Sequence, residues 1–228
     1  MDWFAAVDIY CERTAPGFWN EPLNALSNTS FVLAAIWAAY EIRKRPGQPM
    51  VIKLLTVLCF LIGTGSFLFH TFANLWSEMA DIIPIWTFVA VYIVASVRII
   101  GGVAPGKILR IVMLVLAVLV IVFLATSGEE ATEATHHTQS VLNGSEQYAP
   151  ALLAMLVISF LTWKRGHPLA WWFIGATLMF LTSLTFRTVD MSLCPVWPHG
   201  THQMWHILNG TMLGLLLQAL IRNTRHPD

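Results

Sequence analysis

Charged side chains are scarce in this sequence. Lys and Arg together number 13, as do Asp and Glu, so that 11% of the 228 residues are charged, against about 25% in average soluble domains. Hydrophobic residues make up 56% of the chain. This composition excludes a soluble domain and predicts an integral membrane protein with several spans in one domain. The formal net charge of zero gives no reason to expect nucleic acid as a partner.

Positive charge is missing from the first residues, and cysteine is rare. Asp2 and Asp8 stand where a cleavable signal peptide would carry Lys or Arg, so we expect no such peptide. The three cysteines are Cys11, Cys59 and Cys194. Cys59 lies inside an apolar run and is expected to pack inertly, whereas the other two lie outside the apolar runs.

Seven apolar stretches predict an all-α, integral membrane bundle of seven transmembrane helices. They cover residues 27–40, 51–70, 79–100, 108–126, 149–163, 169–189 and 201–221. Residues 1–26 are polar, acidic and aromatic, which predicts a cap rather than a span. The membrane domain is therefore expected over 27–222 and a short tail over 223–228.

The distribution of positive charge predicts the orientation of these spans. All but two of the 13 Lys and Arg residues lie at alternate ends of the apolar stretches, and the acidic residues collect at the opposite ends. The two exceptions are Arg13 and Arg187. The positive-inside rule then places the N-terminal cap outside and the C-terminal tail in the cytoplasm. Short loops and the absence of targeting signals favour a bacterial inner membrane.

Two histidines stand four residues apart at the start of the last apolar stretch, in the segment Gly-Thr-His-Gln-Met-Trp-His over 200–206. In a helix, His202 and His206 share one face and can bind one metal ion. The alternative is a pair of hydrogen-bonded histidines near the membrane interface. An ionisable pair in an apolar helix is costly unless it has a partner or a function.

Polar residues at the ends of two other stretches are expected at the same depth. Ser66 and His70 share a helix face at the end of the second stretch, and Asp81 opens the third. The orientation derived from Lys and Arg places both of these ends outside, together with His202 and His206. Since the orientation was derived without these five residues, their convergence is independent support for one site.

These residue types fit a zinc hydrolase. Three neutral imidazoles with an open fourth position make a catalytic zinc site, which supplies hydroxide near neutral pH. Asp81 can take a proton from the water and pass it to a leaving group, and Ser66 can hydrogen-bond the attacked carbonyl. The alternatives are a serine that packs between helices and an aspartate that caps the third span.

Three short motifs carry these residues: Ser66-x-x-x-His70, Asp81 with Pro84, and His202-x-x-Trp205-His206. Together they resemble the signatures of the alkaline ceramidases, which belong to a superfamily of seven-span membrane hydrolases. That superfamily also includes adiponectin-type receptors and proteins that remodel glycosylphosphatidylinositol lipids. Tyr10-Cys11-Glu12, the run over 21–28 and the segment over 187–194 resemble further motifs of the same family.

The resemblance implies a zinc-dependent amide hydrolase that cuts ceramide, a membrane lipid, into a sphingoid base and a fatty acid. The implied zinc ligands are His70, His202 and His206. The implied catalytic residues are Asp81, which acts on the water, and Ser66, which polarises the amide.

Two further features of the N-terminal cap are implied by the resemblance alone. Cys11 and Cys194 correspond to cysteines that pair in the family, and Asp8, Glu12 and Glu21 are the candidates for its calcium site. Two calcium positions depart from the family: Ile9 stands where it has Asp, one residue after Asp8, and Thr14 stands where it has Asn.

Three other functions stay open on the sequence alone. The same site would serve the hydrolysis of another lipid amide or ester. A lipid-sensing receptor of adiponectin-receptor type would carry its N-terminus in the cytoplasm, opposite to the orientation predicted here. A transporter with a proton relay would need polar residues through the middle of several spans, and residues 111–125 contain none.

Overall fold

The computed structural model describes residues 2–126 and 142–223. Its helices are α1 (Pro22–Ser27), α2 (Thr29–Lys44), α3 (Met50–Phe72), α4 (Leu75–Ile99), α5 (Pro105–Thr126), a 3-10 turn (Ser145–Tyr148), α6 (Ala149–Lys164), α7 (Ala170–Leu193) and α8 (His202–Asn223). No strand occurs among these residues, apart from one isolated bridge between Ala6 and Asn74. Helices α2 to α8 correspond one to one with the seven predicted apolar stretches, which confirms the all-α class.

Five segments in the described ranges are long and apolar enough to cross a membrane. They are α3, α4, α7, α8 and the continuous stretch Ser145–Lys164, which joins the 3-10 turn to α6. In α8, 72% of the apolar window is buried inside the protein, against 22–44% in the other four. Helix α8 is therefore the centre of the bundle, and it packs against α2, α3 and α7.

One error in the predicted boundaries, at the start of α4, bears on the site. The helix begins at Leu75, not at residue 79, because Asn74 and Ser77 form a capping box. The Asn74 side chain accepts the N–H of Ser77 at 3.2 Å, and the Ser77 hydroxyl accepts the N–H of Asn74 at 3.1 Å. Asp81 therefore lies almost two turns inside α4 and is not its N-cap.

The predicted boundary between cap and membrane domain falls inside a short helix. Residues 26 and 27 lie within α1 (Pro22–Ser27), a short helix that Pro22 begins at a position where proline is well tolerated. The cap therefore continues as helix to the start of α2. The tail predicted over 223–228 lies outside the described residues except for Asn223.

The N-terminal cap is attached to the bundle at two places. Its backbone bonds the α3–α4 turn, where Val7 N–H donates to the Ala73 carbonyl at 2.9 Å and Leu75 N–H donates to the Ala5 carbonyl at 3.2 Å. Farther on, a disulfide joins Cys11 to the residue that follows α7, with the two Cα atoms 5.5 Å apart. The cap is thus held between the end of α3 and the loop that leads into α8.

We expect mass spectrometry of unreduced protein to find the Cys11 and Cys194 peptides linked and Cys59, which is buried, as a free thiol. The bond spans 183 residues, for which chain entropy gives a stabilisation of about 5 kcal/mol at most in a membrane-held chain. Reduction should therefore lower Tm. Two free thiols in the folded protein would contradict this covalent attachment of the cap.

Candidate metal centre

Three histidines meet at the end of the bundle that the cap covers. His70 lies in the last turn of α3, and His202 and His206 lie in the first two turns of α8. All three are at least 98% buried. One nitrogen of each lies within 4.8 Å of the others, and they form the group in the described ranges that could hold a metal ion. The structure therefore brings together the three predicted ligands.

Hydrogen bonds at the outer nitrogens determine the protonation of two of these rings. Nδ1 of His70 bonds the Glu21 carboxylate, which only accepts, so this nitrogen carries the proton. Nδ1 of His206 lies 2.8 Å from the hydroxyl of Ser27, which itself donates to the Asn24 carbonyl at 2.8 Å. That hydroxyl therefore accepts from His206. In the neutral ring that a metal ligand requires, Nε2 is then unprotonated in both residues.

Two of the inner nitrogens are spaced as a tetrahedral metal site requires. Nε2 of His70 and Nε2 of His206 lie 3.2 Å apart, and zinc–nitrogen bonds of 2.0–2.1 Å in tetrahedral geometry give about 3.3 Å between two ligands. Two lone pairs at this distance repel each other unless a cation lies between them. Nδ1 of His202 is buried without a hydrogen-bond partner in the described structure. The donor set and its spacing fit a zinc ion.

An ion pair inside the cap, between Arg13 and Glu21, contacts His70 at its outer ring nitrogen and at its carbonyl oxygen. The Arg13 guanidinium donates to the Glu21 carboxylate, to the Gly17 carbonyl at 3.3 Å and to the His70 carbonyl at 3.1 Å. Burial by itself would raise the pKa of Glu21, but hydrogen bonds from His70, Asn24 and Arg13 outweigh it and hold the pKa below its usual value. Glu21 is therefore an ionised partner of His70.

Two other residues position His202. The Tyr10 ring stacks on the His202 ring with 3.8 Å between centroids. Asp190, in the last turn of α7, accepts the N–H groups of Thr201 at 2.6 Å and His202 at 3.0 Å, and so satisfies the start of α8. Its other oxygen accepts the Cys11 N–H at 3.2 Å. One buried carboxylate thus joins α7, α8 and the cap.

Ser66 and Asp81 lie on neighbouring helices beside the histidines. A Cβ at Gly65 would overlap the Ala80 carbonyl, so α3 and α4 approach closely at this level. Asp81 interacts electrostatically with His70 and with the Ser66 side chain. Its Oδ1 is buried and has no hydrogen-bond partner within the described chain. An unpartnered carboxylate oxygen beside the histidines is available to a water or to a substrate.

The carboxylates implied for calcium do not meet at one point. Asp8 is exposed, and Glu12 uses its two oxygens to accept the N–H groups of Leu23 and Asn24 at 2.8 Å each. Glu21 is occupied by His70 and by a guanidinium. The three carboxylates do not form a metal-capable group in the described ranges. The residues present do not fit a calcium ion. The positive charge next to Glu21 is the guanidinium of Arg13.

Several residues of the site were missed from the sequence. Ser27 and Asp190 lie in segments that resemble family motifs, over 21–28 and 187–194, but neither residue was given a role. Glu21 was assigned to calcium instead of His70. A signal did exist for the arginines: Arg13 and Arg187 are the two exceptions to the charge distribution, and both are buried at the site. The Arg187 guanidinium lies 5.3–5.9 Å from the ring centroids of Tyr10, Tyr148 and Trp205.

One family model matches nearly the whole chain. It is described as Ceramidase and covers residues 10–226. Among curated proteins, the comparison found no match. The matched range includes the three histidines, Ser66, Asp81 and both bonded cysteines.

We expect Glu21→Gln to weaken zinc binding by about 10- to 100-fold, the usual effect of removing the carboxylate that orients a metal-binding histidine. Competition with a chromophoric chelator measures the affinity directly. Glu41→Gln is the matched control, because Glu41 is also buried but pairs with Arg45 and Arg222 at the other end of α2. Equal zinc affinities in the two variants would contradict the role assigned to Glu21, which is to orient His70.

Proposed function

The chain belongs to the ceramidase family, and we propose that it is a zinc-dependent membrane hydrolase that cuts the amide bond of ceramide into a sphingoid base and a fatty acid. The observation that carries the proposal is the position of the three buried histidines beside an apolar cavity. Hydrolysis of an amide that carries a long alkyl chain requires both features: the histidines act at the reacting atoms, and the cavity takes up the chain.

The cavity has the lining expected for a lipid chain. It offers about 100 Å³ to water-sized groups, is partly open to the outside of the bundle, and lies mainly between α4, α6, α7 and α8. Its wall is almost entirely apolar and includes Phe88, Phe180 and Trp205. Trp205 directly precedes His206, so the cavity begins next to the metal centre.

The residues of the centre have distinct tasks in hydrolysis. His70, His202 and His206 would hold zinc, which lowers the pKa of water to about 7 and so supplies the nucleophile. Asp81 takes the proton released by the water and delivers it to the amide nitrogen as the C–N bond breaks. Ser66 hydrogen-bonds the carbonyl oxygen as negative charge develops on it. Water is consumed, and one amine and one carboxylic acid are formed.

The direct test is product analysis after purified protein is incubated with ceramides and with matched lipid esters. We expect a free sphingoid base and a fatty acid from ceramide, no products after treatment with a zinc chelator, and recovery when zinc is returned. Cleavage of esters alone would favour the alternative lipid hydrolase. A zinc-loaded protein that cleaves neither class would exclude the proposal.

Asp81→Asn separates proton transfer from metal binding. We expect this variant to retain zinc and to lose about 10²- to 10⁴-fold in hydrolysis rate, the usual contribution of a general acid–base group. His206→Ala is the comparison, and it should lose zinc and activity together, since two imidazoles remain. Metal analysis and turnover are measured on the same samples. Near-normal turnover in Asp81→Asn would show that the Asp81 carboxylate has no catalytic role.

The same proposal places the centre at the outer side of the membrane, with the N-terminus outside and the C-terminus in the cytoplasm. Its support is the charge distribution, since the positive-inside rule assigns the Lys- and Arg-rich ends to the cytoplasm. The host membrane proposed is a bacterial inner membrane.

Cysteine labelling tests this orientation. In intact cells, a membrane-impermeant maleimide should label Gln147→Cys, whereas Lys44→Cys should be labelled only after the membrane is opened. Both positions are exposed, and the native cysteines are either bonded or buried, so background labelling is low. The reverse result would place the N-terminus in the cytoplasm and favour a protein of receptor type.

A further inference from the structure

We propose that Asn209 is a second recognition point for the lipid and binds a hydroxyl group carried on the chain that occupies the apolar cavity. The inference rests on the proposed function, because it specifies the substrate of the same site. It concerns the composition of the lipid chain and not the chemistry at the metal centre.

The position of Asn209 places an amide in the cavity wall close to the centre. It lies on α8 three residues after His206, which corresponds to about 4.5 Å along the helix axis. The residue is 96% buried and lines the cavity. One end of its amide, Oδ1, lies 3.2 Å from the Ser183 hydroxyl. The other end, Nδ2, is buried without a hydrogen-bond partner in the described structure.

Two other polar groups in the same wall are satisfied within the protein. The Tyr92 hydroxyl donates to the Leu216 carbonyl at 2.9 Å, and the Thr177 hydroxyl donates to the Phe173 carbonyl at 2.9 Å. Buried polar groups in proteins nearly always have such partners, and one that lacks a partner requires an explanation. For Asn209, the missing partner is expected to come from the ligand.

The chemistry of the amide favours a hydroxyl as that partner. The Ser183 hydroxyl has one proton and also lies 2.8 Å from the Phe180 carbonyl. If the proton goes to Phe180, Ser183 accepts from the amide NH₂, and the amide oxygen of Asn209 faces the cavity instead. A hydroxyl donates and accepts, so it satisfies either orientation. A carbonyl satisfies one, and a bare alkyl chain satisfies neither.

Two parts of a ceramide can carry such a hydroxyl: the sphingoid base and the acyl chain. Both begin at the amide, and a group within a few carbon atoms of it would reach a site one helical turn from His206. The shared ligand chemistry is therefore a secondary hydroxyl on a long alkyl chain. A binding experiment that compares the two sources identifies which chain lies in the cavity.

Displacement of a fluorescent fatty acid from the purified, zinc-loaded full chain provides the test without requiring turnover. The competitors are a saturated fatty acid, the same acid with one hydroxyl at successive positions, and sphingoid bases that differ by one hydroxyl. In the wild type, we expect one hydroxylated competitor to bind about tenfold more tightly than its unsubstituted parent. Asn209→Leu, which keeps the branched shape of the side chain and removes the amide, should abolish this preference.

Thr177→Val is the matched control, because it removes a cavity hydroxyl that is already bonded within the protein. Its preference should equal that of the wild type. Asn209→Ala serves as a second variant if Asn209→Leu does not fold. A wild type without any preference, or without any displacement, overturns the inference, as does a preference that survives both Asn209 variants. A preference found in a protein that cleaves no amide would retain the inference and reject the proposed hydrolysis.

Discussion

Two imidazole nitrogens, each with an unshared lone pair, face each other at 3.2 Å between His70 and His206, and much of the surrounding structure depends on this arrangement. It is unfavourable without a cation, and it exists because both outer nitrogens are committed elsewhere. Glu21 and Ser27 hold the protons of those outer nitrogens on the side away from the centre. In an apolar interior such partners are required, since an unsatisfied polar group there is costly. The cap and α1 are therefore part of the metal centre.

The cap supplies its partners only if it cannot move away from the bundle. Three attachments converge within a few residues: the disulfide from Cys11, the N–H of the same residue on Asp190, and the Arg13 guanidinium on the His70 carbonyl. Asp190 also bonds the first N–H groups of α8, so the same carboxylate positions His202. The geometry of the histidines, the position of the cap and the start of the central helix are thus coupled through two buried charged groups, Asp190 and Arg13.

Part of this site could be predicted from the local spacing of residues. The rest depends on contacts between residues far apart in the sequence. The pair His202 and His206 follows from the helical period, and the level of His70 follows from the alternation of spans. The bond from Glu21 to His70 joins residues 49 positions apart, and nothing local in either segment specifies it. The helix begins after a capping box at Asn74, whereas the sequence placed Asp81 at the opening of this span, with a cap as the alternative to its catalytic role, because the apolar run begins later. The calcium assignment is unsupported, because the three carboxylates do not converge in the described residues and Arg13 pairs with Glu21.

The arrangement also constrains how a substrate reaches the centre. The cap covers the histidines from the end of the bundle, and its ion pair fills the space behind His70 with charged groups that are already partnered. The apolar cavity lies on the other side, past Trp205, and its wall is apolar apart from a few side chains such as Asn209. A polar, water-borne substrate would gain little from that wall and would leave the amide of Asn209 unpaired. An amphiphile with its scissile group at the histidines, its chain in the cavity and one polar group on that chain matches each of these surfaces.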